Sequence, residues 1–476
     1  MHLLARRVGL IERIDKERHV LKRHLPYHES DHVLNLAYNI LCGGTCAEDL
    51  ELRRNDEVYL DALGAERIPD PTTAGDFCRR FEAADVETLM DAILALSLEG
   101  NETRIGVWTQ QPAAFFEEAV IDMDGRLALT YGECKEGMAL SYQGEWGYHP
   151  LIVSPANTRE PLYLVNRSGN RPSHENAWMY VDGAIELCRR GGFRRILLRG
   201  GTDFTQSFRL DGWDAEGDRF LFGIDAMPNL VQIAENLPKS AWKPLARKAK
   251  YEVKTEPRQR PENVKERIVV EKGYETIKLV GEQVAEFSYR PTACRKTYRV
   301  VVLRKNLSVE KGEQVLFDDL KYFFYLTNDE VSDLDTLLAE SNGRCHQENL
   351  IEQLKDGVHA LRMPVDNLVS NWAYRVMASP AWTLKAWFAL LLPENGRWQE
   401  QYRREKQSVL SMEFKKFVNA FVRVPAFPSL RSRTRVVRAG RRLVFRLLSW
   451  NPWQEVFLRG VDVLRGRSSL DRPMRC

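Results

Sequence analysis

Residues 173–200 read SHENAWMYVDGAIELCRRGGFRRILLRG. Ala177, Val181, Ala184, Ile185 and Cys188 recur at three- and four-residue intervals, the stripe of a helix lying on a core. Ser173 is placed to open that helix and Gly191-Gly192 to close it. Ile196-Leu197-Leu198 comes at once as a continuous apolar run, the pattern of a strand covered on both faces. Upstream, Ala119–Asp124 reads as a strand before Gly125, and Leu151–Val153 and Leu162–Val165 are two more short apolar runs. Strand, amphipathic helix and buried strand make a βαβ unit, which predicts an α/β fold with a partly parallel sheet.

Outward from this unit the pattern changes on both sides. Residues 1–105 read as helices: Ser30 and Asp31 can cap one carrying Val33, Leu34, Ala37, Ile40 and Leu41, stopped by Gly43-Gly44. Thr73 and Asp76 have capping-box spacing ahead of Phe77 and Phe81. Residues 205–326 carry strand-like runs such as Phe220–Phe222, Phe287–Tyr289, Val300–Leu303 and Tyr322–Tyr325, and predict an antiparallel β-rich insertion. Helices return at 327–420, and a basic helical region, 421–476, closes the chain. At 476 residues two or three domains are expected.

The formal net charge of +3 is unevenly spread. Arg431–Cys476 holds twelve arginines, no lysine and three acids, a net +9, so the remainder carries −6. A polyanion reached through the tail fits that distribution, as does a merely solvated basic helix. Arg435, Arg438, Arg442 and Arg446 recur at helical spacing, with Val436, Leu443, Phe445 and Leu447 available for another face. Trp450 and Trp453 read as packing residues. The longest apolar run, Ala381–Leu392, is interrupted by Lys385 and is shorter than the ~18 residues a membrane span needs, so it reads as a buried helix. No secretory signal is evident, and the eight cysteines contain no Cys-x-x-Cys pair, which points to reduced thiols in a cytoplasmic protein without zinc.

The segment 343–361, GRCHQENLIEQLKDGVHAL, carries the chemistry. Leu350, Ile351, Leu354, Val358 and Leu361 share one helical face. At ~100° per residue, Arg344, Glu348 and Lys355 cluster on another. Spacing alone favours a solvated surface helix with i,i+4 ion pairs. In VIDMDGRL (120–127), Asp122 and Asp124 fall on one side of a strand because they are two apart. Asp124-Gly125 is also a turn signal.

Arg344-x3-Glu348-x6-Lys355, with CHQENLIEQLKDG (345–357), resembles the Tyr-x2-Arg-x3-Glu-x6-Lys signature of one branch of bacterial insertion-sequence DDE transposases. GEWGYHPLIVSPANTREPLYLVNRSGNRPSHENA (144–177) is similar to the stretch linking first strand to helix in that family. The resemblance implies an RNase H-like catalytic domain formed by 115–204 and 327–420, split by the 205–326 insertion, with 1–105 as a DNA-binding module. It implies that Asp124, immediately before Gly125, and Glu348 hold Mg²⁺ or Mn²⁺, and that Arg344 and Lys355 contact DNA phosphates. His174, at the helix entrance, is expected to be structural. Two positions depart from the pattern. The family's tyrosine falls on Ser341, and its second acid, expected after an Arg-Gly pair, falls on Gly201 in RGGTDF (199–204). Asp203, two residues on, is the available substitute.

The resemblance further implies metal-dependent cleavage at element ends, then strand transfer, by a homodimer that synapses two double-stranded DNA ends near the bacterial nucleoid. Gly201 leaves the triad incomplete. A catalytically inactive DNA-binding remnant or repressor of related transposases is the alternative, and a metal-dependent nuclease without paired-end synapsis is a third class. The chain begins about thirty residues before the first clear helix, and if relatives carry more N-terminal sequence, a truncated end-recognition module is a second expected defect.

Overall fold

A computed structural model of the protein describes residues 1–17, 19–22, 26–93, 103–245, 263–311, 314–423, 426–428, 436–439, 443–447 and 452–466. The fold is α/β. It divides into two compact units, Met1–Ile196 with Cys345–Cys476, and Leu197–Arg344.

In the first unit, β1 (Ala119–Gly125), β5 (Leu151–Pro155) and β6 (Tyr163–Val165) are antiparallel neighbours in the order β6-β5-β1. Between β1 and β5 the chain forms a small sheet of β2 (Ala128–Leu129), β3 (Ala139–Leu140) and β4 (Trp146–Tyr148), with β4 central. The helix Ala177–Arg190 packs on β1 and β5 through Ala177, Val181, Ala184, Ile185 and Cys188, all buried. Its N-cap is Asn176, three residues later than Ser173. Arg167 accounts for the delay: its guanidinium donates to the carbonyls of Pro172, Ser173 and Glu175, and so holds them out of a helical ladder.

The N-terminal segment is helical; the expected Asp31 makes the capping contact of one helix, while Asp70, a neighbour of the expected residues, caps another. Glu29–Leu41 is capped from His28, whose amide donates to Asp31 Oδ2 at 2.9 Å, and stops where Gly43 turns to φ +82°. Pro71–Cys78 is capped by Asp70, which accepts from the Thr73 amide at 2.8 Å. The helix Leu368–Ala378 packs on Glu29–Leu41 and on Ala83–Ile93. Pro380–Leu390 is buried along its whole length. Its Lys385 ammonium donates to the Leu410 carbonyl at 2.6 Å and stands over the Trp382 ring, and burial holds its pKa well below the ordinary lysine value. No helix among the described residues is long and apolar enough to cross a membrane.

The second unit holds a mixed six-stranded sheet, β7-β8-β12-β11-β10-β9. β7 (Ile196–Gly200) and β8 (Arg219–Ile224) are parallel, and the helix Ser207–Ala215 supplies the crossover that a parallel pair needs. β9 (Lys243–Pro244), β10 (Glu275–Tyr289), β11 (Tyr298–Lys311) and β12 (Gln314–Thr327) are antiparallel. The span 205–326 is thus strand-rich in its second half but contains the helices Ser207–Ala215 and Pro228–Glu235 in its first.

The basic tail corrects the helical expectation. β13 (Ala426–Pro428), β14 (Val436–Ala439) and β15 (Leu443–Leu447) form a three-stranded antiparallel sheet, followed by the helix Gln454–Leu464. Arg438 lies on β14 and Arg446 on β15, while Arg435, Arg442 and Trp450 fall outside the described residues. Val436, Val437, Val444 and Phe445 favour extended backbone, and Gly440 disfavours a continuous helix, so strand pairing overrides the four-residue arginine spacing. Trp453 packs on Phe421, with ring centres 5.8 Å apart.

Candidate active site

In the first unit the expected acids sit on β1. Asp122 is buried opposite Ser154, and Asp124 is half-buried opposite Ile152 at the end of the strand. The Gly125 amide donates to Asp124 Oδ1 at 2.9 Å, which turns the carboxylate toward its own backbone. A Cβ on Gly125 would lie 3.1 Å from His149 Nε2 and 3.5 Å from Ser173 Cβ, so these two side chains wall the strand end. His149 is held by the same guanidinium that shapes the helix entrance: Arg167 Nε donates to its carbonyl at 3.0 Å. Burial lowers the Arg167 pKa to about 10, with Glu175 opposing the shift. The carbonyl of His174 accepts from the Ala177 amide, a capping contact at the helix start.

Glu348 is carried by the helix Cys345–Glu352. Its neighbour Gln347 fixes that helix: Nε2 donates to the Ile152 carbonyl at 3.0 Å, and Oε1 accepts from the Ser154 hydroxyl. Ile152 and Ser154 are the cross-strand partners of Asp124 and Asp122, so the Glu348 helix is docked against the acid-bearing end of β1. Leu350, Ile351, Leu354, Val358 and Leu361 are all buried, as their shared face predicts. The α-helix does not continue through Lys355. Residues Gln353–Gly357 form a π-turn, with Val358 N donating to Gln353 O at 2.8 Å. The Phe414 amide donates to Gln353 Oε1, and a Cβ on Gly357 would meet Phe414 Cβ at 3.0 Å, so the Phe414–Phe417 helix presses on this turn. The added residue takes Lys355, which is exposed, off the position calculated at 100° per residue.

In the second unit β7 ends at Gly200, and Gly201 comes next in extended backbone, φ −71° and ψ −176°. A Cβ at Gly201 would lie 3.1 Å from Arg344 Nη1. The position expected to hold the second acid is therefore faced by the signature arginine. Asp203 is exposed on the single 3-10 turn Thr202–Phe204, which buried Phe204 anchors. Arg199 is buried and donates to the Glu340 carbonyl at 2.7 Å, clamping the helix Leu334–Asn342 just before Arg344. Ser341 lies in that helix.

Hard divalent cations need oxygen ligands, and a bridged pair of ions needs a shared carboxylate. Asp124 and Glu348 meet the first requirement, while Gly201 contributes no side-chain oxygen. Among the described residues, no three His, Cys, Asp or Glu side chains are grouped to hold a metal ion. Sequence reasoning missed Gln347 and Arg167, whose roles depend on strand neighbours far away in the chain.

No curated protein matches the chain. Among solved structures it is similar to a piggyBac transposase synaptic complex with hairpin DNA, at 10% identity, covering 86% of this chain and 78% of that one, with a TM-score of 0.37. The family described as transposase DDE domain group 1 matches residues 1–407. Since that match covers most of the sequence, including β1 and the Glu348 helix, the chain belongs to the DDE transposase family.

Proposed function

We propose that this transposase serves a bacterial insertion sequence of the Tyr-Arg-Glu-Lys branch, and that Gly201 impairs its DNA cleavage and strand transfer. The reading rests on the docking of the Glu348 helix beside Asp124 through Gln347. An RNase H-like core over 115–204 and 327–420 is supported by the antiparallel β1–β5 pair and the parallel β7–β8 pair. Residues 1–105 then serve end recognition, 205–326 are the insertion and 421–476 contribute basic contacts.

Asp124 and Glu348 would hold Mg²⁺ or Mn²⁺, which when bound activates an attacking oxygen and stabilises the leaving 3′ oxygen. Arg344 and Lys355 neutralise phosphate charge, and Arg438 and Arg446 add positive charge for the same polyanion. Gly201 offers neither a metal ligand nor a counter-charge to the Arg344 guanidinium. Cation binding is weakened and cleavage falls by orders of magnitude, while binding to inverted repeats persists. The same observation favours a second reading, an inactive remnant or repressor that occupies ends without cutting them. Asp203 is the acid that would rescue the first reading. The partner is double-stranded DNA, and the acting form is a homodimer joining two ends.

The test compares the native protein, Gly201→Asp and Asp124→Ala on labelled element-end DNA with Mg²⁺ or Mn²⁺. Cleavage only by Gly201→Asp supports a disabled transposase. Cleavage by the native chain that disappears in Asp124→Ala shows that Asp203 or another acid completes the site. Binding without preference for inverted repeats would favour a general nuclease instead.

A further inference from the structure

One face of the helix Glu29–Leu41 forms a wall of a pocket of about 410 Å³ in the first unit. Asp31, Leu34, Asn35 and Tyr38 recur there at helical spacing, and Ile11, Leu63 and Ile68 line the space with them. Asn35 is 3% exposed. Its amide nitrogen donates to the Pro69 carbonyl at 3.0 Å, which fixes the side chain, and its Oδ1 has no partner among the described residues. Asp31, one turn earlier, is exposed, and its Oδ2 takes the His28 amide. The Tyr38 hydroxyl, one turn later than Asn35, lies 3.2 Å from His2 Nδ1. Burial holds the His2 imidazole below its ordinary pKa, with Arg6 adding to the shift, so it brings no positive charge to the pocket at pH 7. Glu66 and Arg67 also line the pocket, both exposed, and the Arg67 guanidinium lies 6.0 Å from the centre of the Tyr27 ring.

We propose that this pocket binds a small organic amine, its ammonium held between the Asp31 carboxylate and Asn35 Oδ1 and its apolar body lying against Ile11, Leu34, Leu63 and Ile68. Four residues apart on one helix, Asp31 and Asn35 are neighbours on its surface. An ammonium has three donors and no acceptor, which suits a carboxylate beside a buried carbonyl oxygen that lacks a donor. Two carboxylates against one guanidinium select a cation and disfavour a phosphate. The volume lies within the ~300–1,000 Å³ typical of ligand sites. The proposal therefore stands apart from the DNA-processing reading and does not rest on it.

The experiment titrates 2-phenylethylamine into the full chain by calorimetry. Two analogues keep the apolar body: 2-phenylethanol drops the charge, and trimethyl(2-phenylethyl)ammonium keeps the charge but has no N–H donor. Each is expected to bind about tenfold more weakly than the amine, because the buried Asn35 oxygen or the Asp31 charge is then left unmatched. Asp31→Asn keeps an oxygen that can accept from the His28 amide, so the helix cap survives while the charge is lost. It is expected to weaken the amine about tenfold and to leave 2-phenylethanol unchanged. Glu12→Gln, an exposed acid outside the lining, is the control and is expected to have no effect. The ligand series on the native chain decides the question even if Asp31→Asn does not fold. No saturable binding of the amine, or equal binding of all three ligands, overturns the proposal. Undiminished binding by a folded Asp31→Asn protein, or equal loss in Glu12→Gln, overturns the assignment to this pocket.

Discussion

Gln347 Nε2 donates to the carbonyl of Ile152 at 3.0 Å, and Ile152 is the residue directly opposite Asp124 in the β1–β5 ladder. One amide therefore ties the helix of the candidate glutamate to the strand of the candidate aspartate. Its other end takes the hydroxyl of Ser154, opposite Asp122. Replacing Gln347 with Leu strands a buried hydroxyl and a buried carbonyl, and is expected to cost about 2 kcal/mol or more. Urea unfolding of the two proteins measures this, and equal midpoints would remove Gln347 as the dock.

Two glycines near the turn after β7 differ in what surrounds them. Gly201 has an extended backbone, and the nearest atoms to a Cβ there belong to the tip of the Arg344 side chain. Gly201→Ala is expected to change stability by no more than about 0.5 kcal/mol. At Gly223 on β8 a Cβ would lie 3.0 Å from the Thr202 amide nitrogen and 3.3 Å from the Gly201 carbonyl carbon. Gly223→Ala presses backbone on backbone and is expected to cost about 1–3 kcal/mol. Thermal melts of the pair decide it; a reversed order would falsify the turn geometry.

Glu160 is fully buried and accepts from Trp108 Nε1 at 2.8 Å, Trp387 Nε1 at 2.7 Å and Arg104 Nε at 3.0 Å. It joins two helices to the loop between β5 and β6. Glu160→Gln leaves the buried Arg104 without its counter-charge, for an expected loss of about 3–5 kcal/mol. A melting temperature within a degree or two of the native protein would refute this.

His32 is buried against Phe77, ring centres 4.3 Å apart, and burial with Arg80 nearby lowers its pKa from 6.5 to about 4, against an opposing pull from Glu29. The unfolded chain thus takes up the proton first. The contribution to stability is full above pH 6.5 and is lost as pH falls toward 4, about 3 kcal/mol in all. In His32→Phe the stability difference between pH 7 and pH 4.5 should shrink by most of that amount. An unchanged difference would assign the acid sensitivity elsewhere.

Much of the local structure could be read from periodicity. The stripe of Ala177–Cys188, the apolar face Leu350–Leu361 and the buried run around Ala381–Leu392 all take the environment their spacing predicts. Periodicity reports which face is apolar, and a core rewards that directly. It is silent wherever a distant polar group sets the backbone. Arg167 delays a helix by taking three carbonyls, and pressure from the Phe414 helix accompanies a π-turn at Lys355. In the tail, four-residue arginine spacing coexists with β-branched pairs, and cross-strand pairing decides between them.

The sequence by itself pointed to the DDE transposase family, through Asp124, Arg344, Glu348 and Lys355 at their spacings, and it put Gly201 where that resemblance expects a second acid. Only the tertiary structure decided what those positions face: Gln347 against the partners of Asp122 and Asp124, and the Arg344 guanidinium over Gly201. A residue's type and spacing are local properties of the chain. The partner of a buried amide, here 195 residues away, is chosen by the packing of strand on helix.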